Sequence, residues 1–166
     1  MRIAVFVLTC LPSLAGSGLA TGHADTTAKV SATVGGKPLP LQRPEQIALM
    51  FMSAVSNIED DCIRHAGHAC SLDELVNGTT TQDNWKVGHL KFDPRTADPN
   101  YTYTVNAGKN SFEAKAIPKK LGLGGFFTVK AGFGFGKKFY NPQGEASIAS
   151  EEIDSSSIEG DLFQAH

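Results

Sequence analysis

Four side chains of the types that bind transition metals lie close together in the first half of the chain. They are Cys62, His65, His68 and Cys70, in the pattern C-x2-H-x2-H-x-C, and a tetrahedral zinc site takes ligands of these types. Zinc ligands usually come as two pairs from separate elements, whereas here one short run would have to surround the ion. In an oxidising compartment the two cysteines favour a Cys62–Cys70 disulfide instead. We expect that disulfide with both histidines facing solvent, and the metal site at these four residues is the alternative.

Three consecutive acidic residues, Glu59, Asp60 and Asp61, precede this run. Paired carboxylates can act as general acid and base in hydrolysis. Neighbouring residues on a helix point in different directions, however, so these three do not converge on one substrate atom. The pattern therefore predicts a solvated polar helix face. Since no Ser/His/Asp or Cys/His set can be assembled elsewhere, we predict a protein that is not an enzyme.

Two glycine-rich stretches resemble phosphate-binding loops only in part. Residues 122–125 lack a third glycine at the dinucleotide-binding spacing. Residues 132–138 lack the first glycine and the Ser/Thr of a P-loop. Both stretches indicate turns or close packing, and the sequence predicts no cofactor.

Lysines and aromatic residues alternate between positions 114 and 144, where there is no acidic residue. Such a surface can bind single-stranded nucleic acid or a polysaccharide, but strands that turn Phe inward and Lys outward give the same pattern. With 15 basic and 17 acidic side chains the chain has a net charge of −2, which gives no argument for nucleic acid. We favour ordinary strand alternation, with a small-ligand site on this Lys/aromatic face as the alternative. Its members are Lys115, Lys119, Lys120, Lys130, Lys137, Lys138, Phe126, Phe127, Phe133, Phe135, Phe139 and Tyr140.

Apolar residues recur every three or four positions from 45 to 66, which predicts an amphipathic helix. Pro44 suits its first position and Gly67 its end. Ser71 and Glu74 then form the capping box of a short second helix.

Period-two alternation follows in the second half of the chain. Residues 101–105 and 111–117 predict a β-hairpin, and residues 126–130 and 138–140 predict two further strands. The predicted fold class is α+β: one long N-terminal amphipathic helix packed on a small antiparallel β-sheet of about four strands.

The first 24 residues have the features of a cleavable secretory signal peptide. Arg2 is followed by an apolar run from Ile3 and by small residues up to Ala24. No later segment has the roughly 20 consecutive apolar residues of a membrane-spanning helix. We therefore expect a secreted or periplasmic protein with no membrane span after signal cleavage. The rest divides into an extended lead-in (25–43), a single α+β domain (44–148) and an acidic, disordered tail (149–166).

This order of elements resembles the globular part of type IV pilin-like proteins and type II secretion pseudopilins. The matching residues are 45–66, 70–75 (C-S-L-D-E-L), 101–103, 112–118, 124–127 and 141–146. Pilins also carry a prepilin peptidase site followed by an apolar helix, and this chain departs from the family there. The resemblance implies a pilin-like headpiece without catalytic activity. It also implies action through contacts with other extracytoplasmic proteins, such as pilus or secretion-system components.

Overall fold

The computed structural model describes residues 29–80, 84, 86–131, 136–145 and 150–159. The predicted signal peptide, residues 1–24, lies outside the described residues. Within the described ranges no helix combines the length and apolar character needed to cross a membrane.

Seven antiparallel strands form the main sheet. They are β1 (Lys29–Val34), β2 (Lys37–Pro38), β5 (Tyr101–Ala107), β6 (Phe112–Pro118), β7 (Phe126–Ala131), β8 (Lys137–Asn141) and β9 (Glu151–Glu159). Their order across the sheet is β2–β1–β9–β8–β7–β6–β5. A separate two-stranded sheet pairs β3 (Thr79–Thr80) with β4 (Lys86–Val87).

The long helix α1 (Arg43–Asp61) forms where the apolar periodicity predicts it. It runs into a π-helical turn, Cys62–Ala66, and stops at Gly67, whose φ of 76° lies in the left-handed region that glycine adopts readily. The short helix α2 (Leu72–Asn77) begins with the predicted capping box at Ser71, and α3 (Pro94–Ala97) precedes β5.

α1 packs on one face of the main sheet, against β6, β7 and β1. We call this the inner face and the opposite one the outer face. The ring of Phe51 lies 4.3 Å from that of Tyr103, measured between centroids. Burial of a large apolar side chain stabilises a fold by about 1.5–3 kcal/mol. The large apolar side chains of α1 that are 0% exposed are Leu49, Phe51, Met52 and Val55.

The hairpin β5–β6 confirms the sequence prediction. Tyr103 pairs with Ala116 and Val105 with Ala114. Tyr103, Ala114 and Ala116 are buried on the inner face, and Thr104 is exposed on the outer face.

The predicted arrangement of one long N-terminal helix on about four strands, as in a pilin headpiece, is wrong. The sheet has seven strands, and the β1–β2 hairpin comes before α1 in the chain. The class α+β remains correct. The error came from β1 and β9, whose weakly apolar sequences are stabilised as strands by pairing with each other along the whole of β1 and from Ile153 to Glu159 of β9.

The prediction of a disordered tail from residue 149 is also wrong, since residues 151–159 form a strand between β1 and β8. Its serines are held by side-chain hydrogen bonds to β1: Ser157 to Ser31 at 2.7 Å and Ser155 to Thr33 at 2.8 Å. Ile153 contributes to the core. Pairing on both sides therefore outweighs the acidic, polar composition. Residues 160–166 lie outside the described residues.

Candidate functional site

Cys62 and Cys70 are joined by a disulfide with an S–S distance of 2.06 Å. The bond ties the π-helical turn after α1 to the loop before α2. A metal site at the four predicted residues would need both thiolates, and the disulfide leaves neither free. His65 and His68 are exposed. Among the described residues no group of three or more His, Cys, Asp and Glu side chains is placed to hold a metal ion.

His68 instead lies 3.2 Å from the carboxylate of Glu74, at the start of α2. This hydrogen bond raises the pKa of His68. The pKa of Glu74 is lowered mainly by the hydrogen bond that it accepts from the N–H of Ser71, and further by His68. The pair is a solvent-facing contact that helps to fix the disulfide loop to α2.

Glu59 departs from the prediction of a solvated acidic face, because its side chain is 0% exposed. Its Oε2 accepts a hydrogen bond of 2.7 Å from the N–H of Cys70, whereas Oε1 has no hydrogen-bond partner within the described residues. Burial raises the pKa of Glu59 to about 7, although the Cys70 hydrogen bond opposes the rise. Glu59 follows Val55 by four residues and precedes Cys62 by three, which places it on the apolar stripe of α1. That spacing was the sequence signal for its burial.

A second buried carboxylate, Glu45, connects the first turn of α1 to the sheet. Its Oε1 accepts hydrogen bonds from the N–H of Gly125 at 2.8 Å and the hydroxyl of Tyr140 at 2.7 Å, and its Oε2 accepts from the N–H of Gln42 at 2.8 Å. The hydroxyl of Tyr101 donates to the carbonyl oxygen of Gly125 at 2.9 Å. Burial raises the pKa of both tyrosines, so both hydroxyls remain protonated donors. Every donor in this cluster is satisfied within the fold, which indicates a structural role.

The Lys/aromatic face does not exist as one surface, because the structure divides its members between the two faces of the sheet. Phe127 and Tyr140 pack against each other on the inner face, with ring centroids 4.9 Å apart. By strand alternation Phe126 and Phe139 lie on the outer face. The rule that Phe turns inward and Lys outward is therefore wrong for these two rings. Phe133 and Phe135 lie outside the described residues.

The lysines divide in the same way. Lys115, Lys130 and Lys137 lie on the outer face, where each forms an ion pair with Glu113 or Glu152. Lys119 and Lys120 are exposed in the turn after β6. Lys138 shares the inner face with Tyr140, and burial lowers its pKa.

The β5 edge, by which we mean the side of β5 (Tyr101–Ala107) that faces away from β6, pairs with no other strand of the described chain. Lys119 N–H donates to the carbonyl of Asn100, and Gly108 N–H donates to the carbonyl of Ser111. Hydrogen-bonded and non-hydrogen-bonded pairs alternate in an antiparallel ladder. Even-numbered residues of β5 therefore direct their backbone groups toward β6, and the odd-numbered ones direct theirs outward. The outward group is Tyr101, Tyr103, Val105 and Ala107.

The two ends of the main sheet differ in how well they resist pairing with another strand. β2 is two residues long and consists of Lys37 and Pro38, and a short strand with lysine and proline is a common way to block an edge. β5 has seven residues, Y-T-Y-T-V-N-A, with neither charge nor proline. One end of it is fixed to the disulfide loop, since Ala69 N–H donates to the carbonyl of Gly108 at 3.0 Å. The accessible part of the β5 edge is its second half, because Tyr101 is 0% exposed and Tyr103 is buried, whereas Val105 is partly buried and Ala107 is exposed.

The alternation in residues 101–105 predicts a strand, but it does not indicate that this strand lies at an edge of the sheet. That position depends on the order of all seven strands, which local patterns do not contain. The absence of charge and proline in residues 101–107 was visible and becomes informative only together with the edge position.

Comparison with known proteins finds no family model, no curated protein and no solved structure that matches this chain.

Proposed function

We propose that this domain acts by non-covalent protein–protein contacts, without catalysis, and that the β5 edge binds the β5 edge of a second copy of the chain. The observation that carries the proposal is the asymmetry of the sheet: β2 is short and contains Lys37 and Pro38, whereas β5 has seven residues without charge or proline and an accessible second half. Strand addition at a sheet edge is a common mode of recognition because main-chain hydrogen bonds supply the affinity. The extracytoplasmic location and the resemblance to pilins remain predictions, and neither supports this step.

A second copy is the favoured partner because antiparallel pairing about a two-fold axis is compatible with the β5 sequence. With Thr104 opposite its own copy, Tyr103 pairs with Val105 of the other chain, so that outward-facing backbone groups meet each other. The threonine pair on the outer face is favourable, and no like charges face each other since β5 has no charged residue. Because Tyr101 is 0% exposed, only the two pairs of Tyr103 with Val105 are counted, and about four backbone hydrogen bonds would join the strands in this register. Since each contributes only about 0.5–1.5 kcal/mol net and association has its own entropic cost, we expect a weak, concentration-dependent dimer.

Sedimentation velocity over a concentration series tests the proposal with a matched pair of variants. Val105→Pro removes an outward N–H without removing a hydrogen bond to β6, whereas Val105→Ala removes the same side chain and keeps the N–H. We expect the wild type and Val105→Ala to dimerise as concentration rises, and Val105→Pro to remain monomeric.

The proposal is overturned if the wild type remains a monomer at all concentrations, or if both variants dimerise equally. If Val105→Pro fails to fold, Ala107→Pro takes its place. Ala107 is exposed at the end of β5, so its substitution removes an outward N–H with little loss of packing.

A further inference from the structure

The outer face of the main sheet contains a pocket of about 350 Å³, away from the β5 edge. Its volume lies at the lower end of the range for small-molecule sites. We call it the outer pocket. The residues that line it and enter the argument are Glu113, Lys115, Phe126, Thr128, Lys130 and Phe139.

Strand register brings these residues together on three adjacent strands. Glu113 on β6 pairs with Lys130 on β7, and Lys115 pairs with Thr128. Thr128 in turn pairs with Phe139 on β8. Directly paired residues share one face of a sheet, so the lysines and the aromatic rings border the same space.

The charges of the outer pocket do not balance. Both ammonium groups contact one carboxylate: Lys115 Nζ lies 2.8 Å and Lys130 Nζ 3.0 Å from an oxygen of Glu113. The hydrogen bond from Lys115 is the main reason why the pKa of Glu113 is lowered, so Glu113 is ionised at neutral pH. The three groups together carry one excess positive charge, which a single additional anion would neutralise.

The apolar side of the outer pocket is formed by Phe126 and Phe139. Phe126 is 3% exposed and Thr128 is 5% exposed, and Phe139 is partly buried. Phe126 and Thr128 are therefore almost closed off from solvent, and the ring of Phe139 is the apolar surface that the pocket offers to a ligand.

We infer that the outer pocket binds a small organic monoanion with an apolar body, of the aryl or alkyl carboxylate class. The carboxylate lies between Lys115 and Lys130, whose side chains are accessible, and the apolar body packs on Phe139. The single excess charge favours a monoanion over a more highly charged ligand. This inference is independent of the pairing proposed for β5, which lies at the edge of the sheet.

Isothermal titration with phenylbutyrate, and with phenylbutanol as its neutral counterpart, tests the inference. We expect saturable binding of phenylbutyrate and at least tenfold weaker binding of the alcohol. Lys130→Gln should weaken phenylbutyrate binding by about tenfold, the effect of one lost charge-assisted contact. Lys109→Gln removes an exposed lysine in the β5–β6 turn and should leave the affinity unchanged.

Glu113→Gln gives the most specific result, because it removes the carboxylate that competes with the ligand for both lysines. We expect it to tighten phenylbutyrate binding by about threefold or more, whereas a merely structural role for Glu113 would weaken binding. The inference is overturned by the absence of saturable binding at millimolar phenylbutyrate, by equal binding of the alcohol, by weaker binding to Glu113→Gln, or by equal effects of Lys109→Gln and Lys130→Gln.

Discussion

The carboxylate of Glu45, in the first turn of α1, accepts a hydrogen bond of 2.7 Å from the hydroxyl of Tyr140 on β8. The same carboxylate accepts from the backbone of Gly125, which precedes β7. Through these contacts one buried side chain fixes the start of the helix against the middle of the sheet. Because charged acceptors form stronger hydrogen bonds than neutral ones, we expect this cluster to contribute strongly to stability.

Glu45→Gln should lower the free energy of unfolding by about 1–3 kcal/mol, because an amide oxygen replaces only one of two carboxylate oxygens and leaves a buried donor unpaired. Tyr140→Phe removes a single hydroxyl and should cost less, about 1 kcal/mol. Urea denaturation of both variants checks the order. A Glu45→Gln variant as stable as the wild type would contradict the role assigned to this carboxylate.

Gly124→Ala should destabilise the fold by about 1–3 kcal/mol through overpacking. A Cβ at this position would collide with the hydroxyl of Tyr101 and lie 2.7 Å from Cγ of Glu45. Gly36→Ala is the control, since a Cβ there meets nothing within 4 Å and the cost comes only from a φ of 71°. Gly124→Ala should unfold at a lower temperature, as measured by thermal unfolding. The near-ultraviolet tyrosine signal of its native state should also be weaker, and Gly36→Ala should keep this signal. Unchanged signal and stability in that variant would contradict the packing described.

Replacing both Cys62 and Cys70 by alanine should lower the free energy of unfolding by about 2–3 kcal/mol, the value expected for closing a short loop. Reduction of the wild type should give a similar loss, and it should not affect the double variant. Both can be measured by denaturation with and without dithiothreitol. Equal stability of the reduced and oxidised wild type would show that the bond does not constrain this loop.

Stability should fall as pH rises from about 4.5 to about 7, because the pKa of Glu59 is raised to about 7 in the folded protein. Over this range the unfolded state loses the Glu59 proton while the folded state keeps it, so the folded state binds more protons and is disfavoured by rising pH. The raised pKa corresponds to a loss of about 3 kcal/mol between the two ends of the range.

Glu59→Gln should remove this part of the pH dependence. Glu151→Gln is the matched control, since Glu151 is an exposed glutamate on β9. Denaturation curves at several pH values compare the three proteins. If wild type and Glu59→Gln show parallel pH profiles, Glu59 is not the group responsible.

Local patterns predicted what is stabilised locally. α1, its stop at Gly67, the capping box at Ser71 and the β5–β6 hairpin all depend on residues close in sequence, and all were predicted correctly. β1 and β9 could not be predicted in the same way. Each is weakly apolar by itself, and the pairing that stabilises them joins residues more than a hundred positions apart, such as Val30 and Ile158.

The candidate sites show the same division. The pairing of Cys62 with Cys70 was predicted from their spacing and from an expected oxidising compartment, whereas predicting the burial of Glu59 requires knowing which face of α1 meets the core. Predicting the outer pocket requires the register of three strands, because Lys115 and Phe139 are 24 positions apart in the sequence. Predicting that β5 lies at an edge requires the order of all seven strands.

The most direct test of the proposed pairing is amide hydrogen exchange along β5, followed by NMR at low and high protein concentration. We expect the outward-facing amide of Val105, which is only partly buried, to exchange rapidly in dilute protein and to become protected as concentration rises. The amides of Thr102 and Thr104 face β6 and should be protected at both concentrations. Exchange at Val105 that does not change with concentration would contradict the claim that this edge binds a second copy.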